Sequence, residues 1–167
     1  MAVVAVKSTQ ITNRDASPRV INNSRVANDV KQVTLDAFSI ASGDSVASTY
    51  RVVTIPSRAV VTAVRISAPD IGTTTAADVG LYRTTLDGGA VVDADFFASA
   101  ASLNGGALSK SDITLESGVV SLTNSVRTVW ENLGLSADPG VDYDVVLTLT
   151  GAADASGVGV LEVEYVV

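Results

Sequence analysis

Apolar and polar residues alternate along much of this chain, and the alternation predicts β-strands rather than helices. Towards the C-terminus, apolar residues occupy every second position at 143–149 and again at 161–167. Because successive side chains of a strand point to opposite faces, each run predicts a strand with one buried face. Two Val-rich runs at 45–55 and 59–67 flank a Pro-Ser-Arg sequence, and they predict two further strands joined by a turn.

Residues 78–97 predict a β-hairpin. An Asp-Gly-Gly sequence at 87–89 favours the positive φ angles of a tight turn between two extended arms. Strict alternation places five apolar side chains on inner faces: Val79 and Leu81 in the first arm, and Val92, Ala94 and Phe96 in the second. Asp93 and Asp95 are then expected to point towards solvent or a partner.

The remaining pattern completes an all-β prediction. A strand is expected at 30–40 and a short strand pair at 113–122, and within the Gly-rich stretch 99–108 the Asn-Gly-Gly sequence at 104–106 predicts a loop. One helix is predicted, with Trp130 as a core anchor, because helical spacing relates Val126, Val129, Trp130 and Leu133. About eight short strands, separated by Gly and Pro turns, indicate a jelly-roll-like β-sandwich with one short helix.

The first 30 residues lack sustained periodicity and predict an extended N-terminal arm, followed by a β-sandwich domain at 31–167. Charge separates the same two parts. Residues 1–31 hold five basic and two acidic residues, a net charge of +3, while the rest of the chain carries −10. A basic arm favours an acidic partner surface, and an acidic body repels polyanions, so no nucleic-acid partner is expected.

Composition removes most catalytic classes. The chain contains no Cys and no His, which excludes Ser-His-Asp and Cys-His catalysis as well as thiolate and His-zinc sites. No phosphate-binding loop, dinucleotide fingerprint or nucleophile elbow occurs. No run approaches the roughly 20 apolar residues of a membrane-spanning helix. We therefore expect a non-enzymatic protein without catalytic residues, cofactor, metal or membrane partner.

Two pairs of carboxylates remain as candidate sites, Asp93 with Asp95 and Asp142 with Asp144. Either pair supplies oxygen ligands of the kind that Ca²⁺ prefers, or, facing each other across a cleft, the acid and base of a glycosidase. Alternation along a strand explains both spacings without a ligand, and only 5% of the residues are aromatic, which is few for a sugar cleft. Solvated strand faces are the favoured interpretation.

Several sequence blocks together resemble the head decoration, or capsid cement, proteins of tailed bacteriophages. The blocks are KSTQITNRD at 7–15, TYRVVTIP at 49–56, DVGLY at 78–82, GAVVDADFF at 89–97, WENLGL at 130–135 and YDV at 143–145. The resemblance spans nearly the whole chain. It implies a β-sandwich, often trimeric, on the outer face of the capsid where major capsid subunits meet.

The resemblance and the charge pattern together give a functional expectation. The protein is expected to be a structural virion component that binds the major capsid protein, forms a homo-oligomer with a trimer favoured, and cements neighbouring capsid subunits. The basic arm is the expected capsid-binding element, through Lys7, Arg14, Arg19 and Arg25. The alternative is a host-surface or glycan-binding jelly-roll module of a virion, for which a surface-exposed Trp130 would be the first sign.

Overall fold

The structure, a computed structural model, describes residues 6–22, 27 and 29–167 of the 167-residue chain. Its contacts divide the chain into two compact units, Met1–Val30 and Lys31–Val167, which are described separately. Within the described residues, every strand lies in the larger unit.

The larger unit is a β-sandwich. Its strands are β1 Gln32–Ile40, β2 Thr49–Pro56, β3 Val60–Ala68, β4 Ala76–Arg83, β5 Val91–Ser102, β6 Leu108–Asp112, β7 Asp142–Gly151 and β8 Gly157–Val166. They form two four-stranded antiparallel sheets with the orders β1-β8-β3-β6 and β2-β7-β4-β5. Two packed sheets of eight strands in this order are a jelly roll, so the predicted fold class is confirmed.

The core lies between the two sheets and follows the alternation predicted from the sequence. In β7 every second side chain is buried, from Tyr143 to Leu149, with exposed fractions of 1% or less. On the facing sheet, Leu161 and Val163 of β8 are fully buried. Each large aliphatic side chain buried in this way contributes about 1.5–3 kcal/mol relative to an exposed position.

The predicted hairpin is present, formed by β4 and β5 around a 3-10 turn at Thr85–Asp87. The register between the two strands shifts three times. The largest shift lies between two neighbouring pairs, since Val79 faces Ala98 but Leu81 faces Asp93. β5 therefore bulges, because it holds more residues than the β4 segment opposite it.

This bulge corrects the predicted faces of β5. Val92 is 36% exposed and Ala94 is half-buried, so neither occupies the predicted inner position beside Phe96. Phe96 and its neighbour Phe97 are instead both fully buried, and their rings make a T-shaped contact with centroids 4.9 Å apart. Two adjacent residues of a regular strand point to opposite faces, so the bulge is what admits both rings to the core.

Gly80 makes room for the bulge. A Cβ atom at this position would lie 2.2 Å from backbone atoms of Asp93 and Ala94. Any side chain at position 80 would therefore collide with β5, although the flanking Val79 and Leu81 keep their predicted inner positions and are fully buried.

The connection between β5 and β7 also differs from the prediction. The loop predicted at 104–106 is present between β5 and β6, but the sequence did not predict β6 at Leu108–Asp112, and the strand pair predicted at 113–122 is a series of turns and bends. Side chains form hydrogen bonds with the backbone in this segment; for example, Asn124 Nδ2 donates to the Val119 carbonyl at 2.8 Å. Such local side-chain bonds compete with a β-ladder for the same backbone groups.

The predicted helix is reduced to one turn, α2, at Val129–Asn132. The N–H of Thr128 donates to Glu131 Oε2 at 2.8 Å and closes its first turn. Only Val129 is fully buried; Val126 is 59% exposed, and Trp130 is half-buried and outside the core cluster. The prediction that Trp130 anchors the core is therefore wrong.

The smaller unit contains a helix, whereas the sequence predicted an extended arm. This helix, α1, spans Thr9–Asp15 and begins at Ser8, whose Oγ accepts from the Ile11 N–H at 3.4 Å. Asn13 Nδ2 donates to Asn22 Oδ1 at 2.9 Å and joins the helix to the chain that follows it. Among the described helices, none is long and apolar enough to cross a membrane.

Replacing Leu147 by Ala tests the assignment of the core. Leu147 is fully buried in the central strand β7, so we expect the free energy of unfolding to fall by about 2–5 kcal/mol. Leu122→Ala is the matched control, because Leu122 is 84% exposed and its truncation should change stability by about 0.5 kcal/mol or less. Urea titration measures both, and equal losses for the two variants would contradict the assignment.

Candidate interaction surfaces

Two of the basic residues predicted to bind a partner, Lys7 and Arg14, form ion pairs with the same acidic residue, Asp15. Lys7 Nζ lies 2.8 Å from Asp15 Oδ2, and Arg14 Nε lies 2.9 Å from Asp15 Oδ1. Arg14 and then Lys7 hold the pKa of the Asp15 carboxyl below its usual range. One carboxylate thus serves two cations whose side chains remain 60% and 57% exposed, and the cluster keeps a net positive charge.

Arg19 lies apart from that cluster. It lines an open depression with Val20, Ile21 and Asn22, in which Val20 is 49% and Ile21 is 91% exposed. Arg25 lies outside the described residues. The structure therefore brings Lys7 and Arg14 together on Asp15 and leaves the predicted role of the four basic residues as a proposal.

The outer face of the β1-β8-β3-β6 sheet carries an ion network that the sequence analysis missed. We call it the charged row, consisting of Lys31, Arg65, Lys110, Glu162 and Glu164. Arg65 Nη1 lies 2.9 Å from Glu162 Oε1 and 2.7 Å from Glu164 Oε1. Lys110 also pairs with Glu162, and Lys31 with Glu164. The row connects side chains from before β1 and from β8, β3 and β6.

Strand pairing creates the charged row. Glu162 and Glu164 alternate with buried residues of β8, a pattern visible in the sequence, but their cations come from distant segments that only the register brings alongside. Lys31 and then Arg65 lower the pKa of Glu164 from its usual 4.5 to about 2. The row is therefore a set of mutually satisfied charges.

On the opposite outer face, Arg51 joins three strands. Its Nη1 lies 2.8 Å from Asp144 Oδ2 and donates to the Arg83 carbonyl at 2.9 Å, and its guanidinium lies over the Tyr82 ring, 5.4 Å from the centroid. Asp144 also accepts from Thr54 Oγ1 at 2.8 Å. The carboxylate considered as a Ca²⁺ ligand together with Asp142 is thus held by Arg51 and Thr54.

The other pair of carboxylates, Asp93 and Asp95, lies on the half-buried part of β5. The Asp95 N–H donates to Asp93 Oδ1 at 3.3 Å. Burial, and after it the neighbouring Asp95 side chain, raises the pKa of Asp93. Across residues 6–22, 27 and 29–167, no group of three or more Asp, Glu, His or Cys side chains is placed to hold a metal ion.

The exposed apolar side chains of the sandwich include two groups. The first is the connection after β6, where Leu115, Leu122 and Val126 are 40%, 84% and 59% exposed. The second lies on the outer face of β1, where Val33 and Leu35 are 52% and 59% exposed and Val158 of the neighbouring β8 is 62% exposed. We call this second area the β1 stripe; it also includes the exposed Ala37.

Comparison with solved structures finds chains that are similar to this one. No family model and no curated protein sequence matches the chain. A chain of the cyanophage Pam1 capsid asymmetric unit is similar, with a TM-score of 0.56 and 16% identity over 99% of both chains. A chain of the acid-stable capsid of Helicobacter pylori bacteriophage KHP30 aligns with a TM-score of 0.40 and 21% identity, over 83% of this chain and 94% of that one. At this identity, the Pam1 likeness establishes a shared fold across the whole chain.

Replacing Glu164 by Gln tests the charged row. Because the pKa of Glu164 is lowered in the folded protein, its ionised form stabilises the fold above its usual pKa of 4.5, and this contribution is lost as the pH falls towards about 2. We expect Glu164→Gln to lower the melting temperature at pH 7 and to differ progressively less from the wild type between pH 4.5 and pH 2. Asp70→Asn, at an exposed carboxylate outside the charged row, is the control, and a loss that does not depend on pH would contradict the assignment.

Asp93→Asn is expected to have the opposite sign. A carboxyl whose pKa is raised on folding destabilises the folded protein once the pH exceeds its usual value of 3.8. The variant keeps an oxygen for the Asp95 N–H but removes the charge, so its melting temperature should exceed that of the wild type at pH 7 and match it at about pH 3. A decrease at pH 7 would indicate that the carboxylate has a stabilising partner.

Proposed function

We propose that this protein is a structural component of a phage virion that binds the outer surface of the capsid and cements neighbouring major capsid subunits. The observation that carries the proposal is the likeness to a chain of the Pam1 capsid over 99% of both chains. Because the alignment covers both chains almost completely, that capsid contains a chain of similar length and similar fold. The sequence resemblance to phage head decoration proteins points to the same role.

Charge supports an outer location. Residues 32–167 carry a net charge of −10, and a body of this charge is repelled by packaged DNA. The outer capsid face avoids that repulsion. The proposal involves no catalytic step, cofactor or nucleic-acid contact.

In this proposal residues 1–30 form the capsid-binding arm and residues 31–167 the cementing domain. The arm has exposed cations that its own acid does not neutralise, because Lys7 and Arg14 share the single carboxylate of Asp15. Together with Arg19 and Arg25, they would contact acidic surfaces of the major capsid protein. Copies are proposed to associate as a homo-oligomer, with a trimer favoured.

A host-surface or glycan-binding role is the second candidate, and one observation favours it. Trp130 is half-buried and outside the core cluster, whereas a purely structural tryptophan would pack into it. Quenching of Trp130 fluorescence by host glycans, together with calorimetric glycan binding that is lost in Trp130→Ala, would support this alternative. Unchanged fluorescence across the glycans of the host surface would exclude Trp130 as a sugar platform.

The capsid-binding arm is tested by reversing charge in the arm and, as a matched control, in the body. The arm variant is Arg14→Glu with Arg19→Glu; the control is Arg58→Glu with Arg127→Glu, two exposed cations of the sandwich. Both variants change the net charge equally. Binding to undecorated heads, measured by co-sedimentation, should weaken by about ten-fold or more for the arm variant and change little for the control.

Two outcomes would contradict the proposed arm. If both double variants bind heads as the wild type does, the arm cations play no part. If both weaken binding equally, the effect is one of bulk charge and not of the arm. Failure of the wild-type protein to bind heads would overturn the cementing role itself.

A further inference from the structure

We infer that the free edge of β1 is a contact between two copies of this chain, formed by antiparallel pairing of β1 with its own copy across a two-fold axis. The inference goes beyond the proposed function, because it names a surface and a geometry that do not involve the capsid. It also differs from the trimer contact, since a two-fold contact joins two monomers or two trimers.

The first observation is the inverted polarity of β1. In its N-terminal half, the apolar Val33, Leu35 and Ala37 face outward and are exposed. The residues between them, Gln32, Thr34 and Asp36, are polar and lie on the side that faces the other sheet. A strand that only served its own sandwich would show the reverse pattern, as β7 does. The outer face of β1 is thus the one suited to a hydrophobic contact.

The second observation is the direction of the backbone groups. Within the described residues, β1 pairs only with β8 and has an open edge on its other side. The Ala37 N–H donates to the carboxylate of its neighbour Asp36 at 2.7 Å and so points away from β8. Thr62 Oγ1 of β3 donates to the Glu164 carbonyl at 3.1 Å. Glu164 of β8 therefore directs its carbonyl towards β3 and away from Val33, the β1 residue with which it pairs.

Hydrogen-bonding direction alternates along a strand, so Val33, Leu35 and Ala37 all direct their N–H and C=O groups to the open edge. The residues that expose apolar side chains are therefore the ones whose backbone groups an added strand can reach, and the Ala37 N–H would exchange its bond to Asp36 Oδ1 for one to that strand. An added strand would gain hydrogen bonds and apolar cross-strand contacts from the same three positions.

Self-pairing centred on Leu35 fits this edge best. Leu35 then faces Leu35 of the second copy and Val33 faces Ala37, so three apolar pairs form on the outer face. On the inner face, Asp36 lies opposite Thr34. Centring the pair on Asp36 would place two carboxylates directly opposite each other, and centring it on Thr34 would oppose Lys31 to Ala37. The favoured register leaves no like charges facing each other.

Local charge also suits a second copy. The sandwich as a whole is acidic, but beside the β1 stripe three cations, Lys31, Arg65 and Lys110, pair with two acids, Glu162 and Glu164, which leaves a net charge of +1. This nearly neutral surface does not repel its own copy as the remaining acidic body would. An apolar centre with a polar rim is also the usual anatomy of a protein interface.

Disulfide cross-linking tests the register directly, because the chain contains no natural cysteine. In the proposed pair, the Cα atoms of the two Leu35 residues are about 5.5 Å apart, which suits a disulfide. The two Val33 residues are about 14 Å apart along the strands and cannot be joined. On mild oxidation, Leu35→Cys should form a covalent dimer at least about ten-fold faster than Val33→Cys or the exposed control Leu122→Cys.

A second experiment measures association without a cross-link. Leu35→Asp places two carboxylates opposite each other at the axis, so sedimentation should show loss of the paired species, while Leu122→Asp keeps it. Equal cross-linking rates at positions 33, 35 and 122, or a wild-type protein without any paired species up to its solubility limit, would overturn the inference. Neither result affects binding to heads, so failure here is distinguishable from failure of the proposed function.

Discussion

The sandwich depends on β7 and β8, two of the four strands that have a hydrogen-bonded neighbour on each side. Between them they pair with four other strands, β8 with β1 and β3, and β7 with β2 and β4. β7 and β8 lie in the last quarter of the chain, so β1 pairs with residues almost at the opposite end, such as Gln32 with Tyr165. Nearly all the pairings that define the fold are therefore non-local, which is typical of slowly folding β proteins.

The same strands separate two kinds of surface. Their inner residues bury apolar area and determine the fold, while their outer residues determine what the sandwich presents to a partner. On β8, the buried Leu161 and Val163 alternate with Glu162 and Glu164 of the charged row. One period-two pattern thus supplies the core and a neutralised outer surface beside the exposed β1 stripe.

The sequence allowed the regular parts of this architecture to be predicted, and the irregular parts escaped for identifiable reasons. The alternation in β7 and β8 is nearly regular, so most of their inner residues followed from it; the exceptions are Val146 and Val166, which are buried although the pattern placed them on the outer face. In β5 the bulge opposite Gly80 changes which residues point inward, and no period reveals a bulge that depends on the approach of another strand. Helical spacing from Val126 to Leu133 predicted a longer helix than α2, because local side-chain bonds shape the preceding turns.

The candidate interaction surfaces were likewise predictable only in part. Net charge distinguished residues 1–31 from the rest of the chain, but it did not reveal that Lys7 and Arg14 share Asp15. The charged row needed the register of three strands before its pairs could be recognised. The exposed apolar face of β1 could not be predicted for a related reason, because alternation within a strand does not indicate which of its two faces lies against the other sheet.

The place where the arm enters the sandwich has a mechanical consequence. Any tension drawn through residues 1–30 reaches the larger unit at Lys31, which is paired with Glu164 and directly precedes β1. Tension along β1 acts parallel to the strand, so it loads all nine register positions with β8 together instead of opening them one after another. Antiparallel strands sheared in this way separate only when many hydrogen bonds break together, whereas a pull across the strands would break the same bonds one at a time.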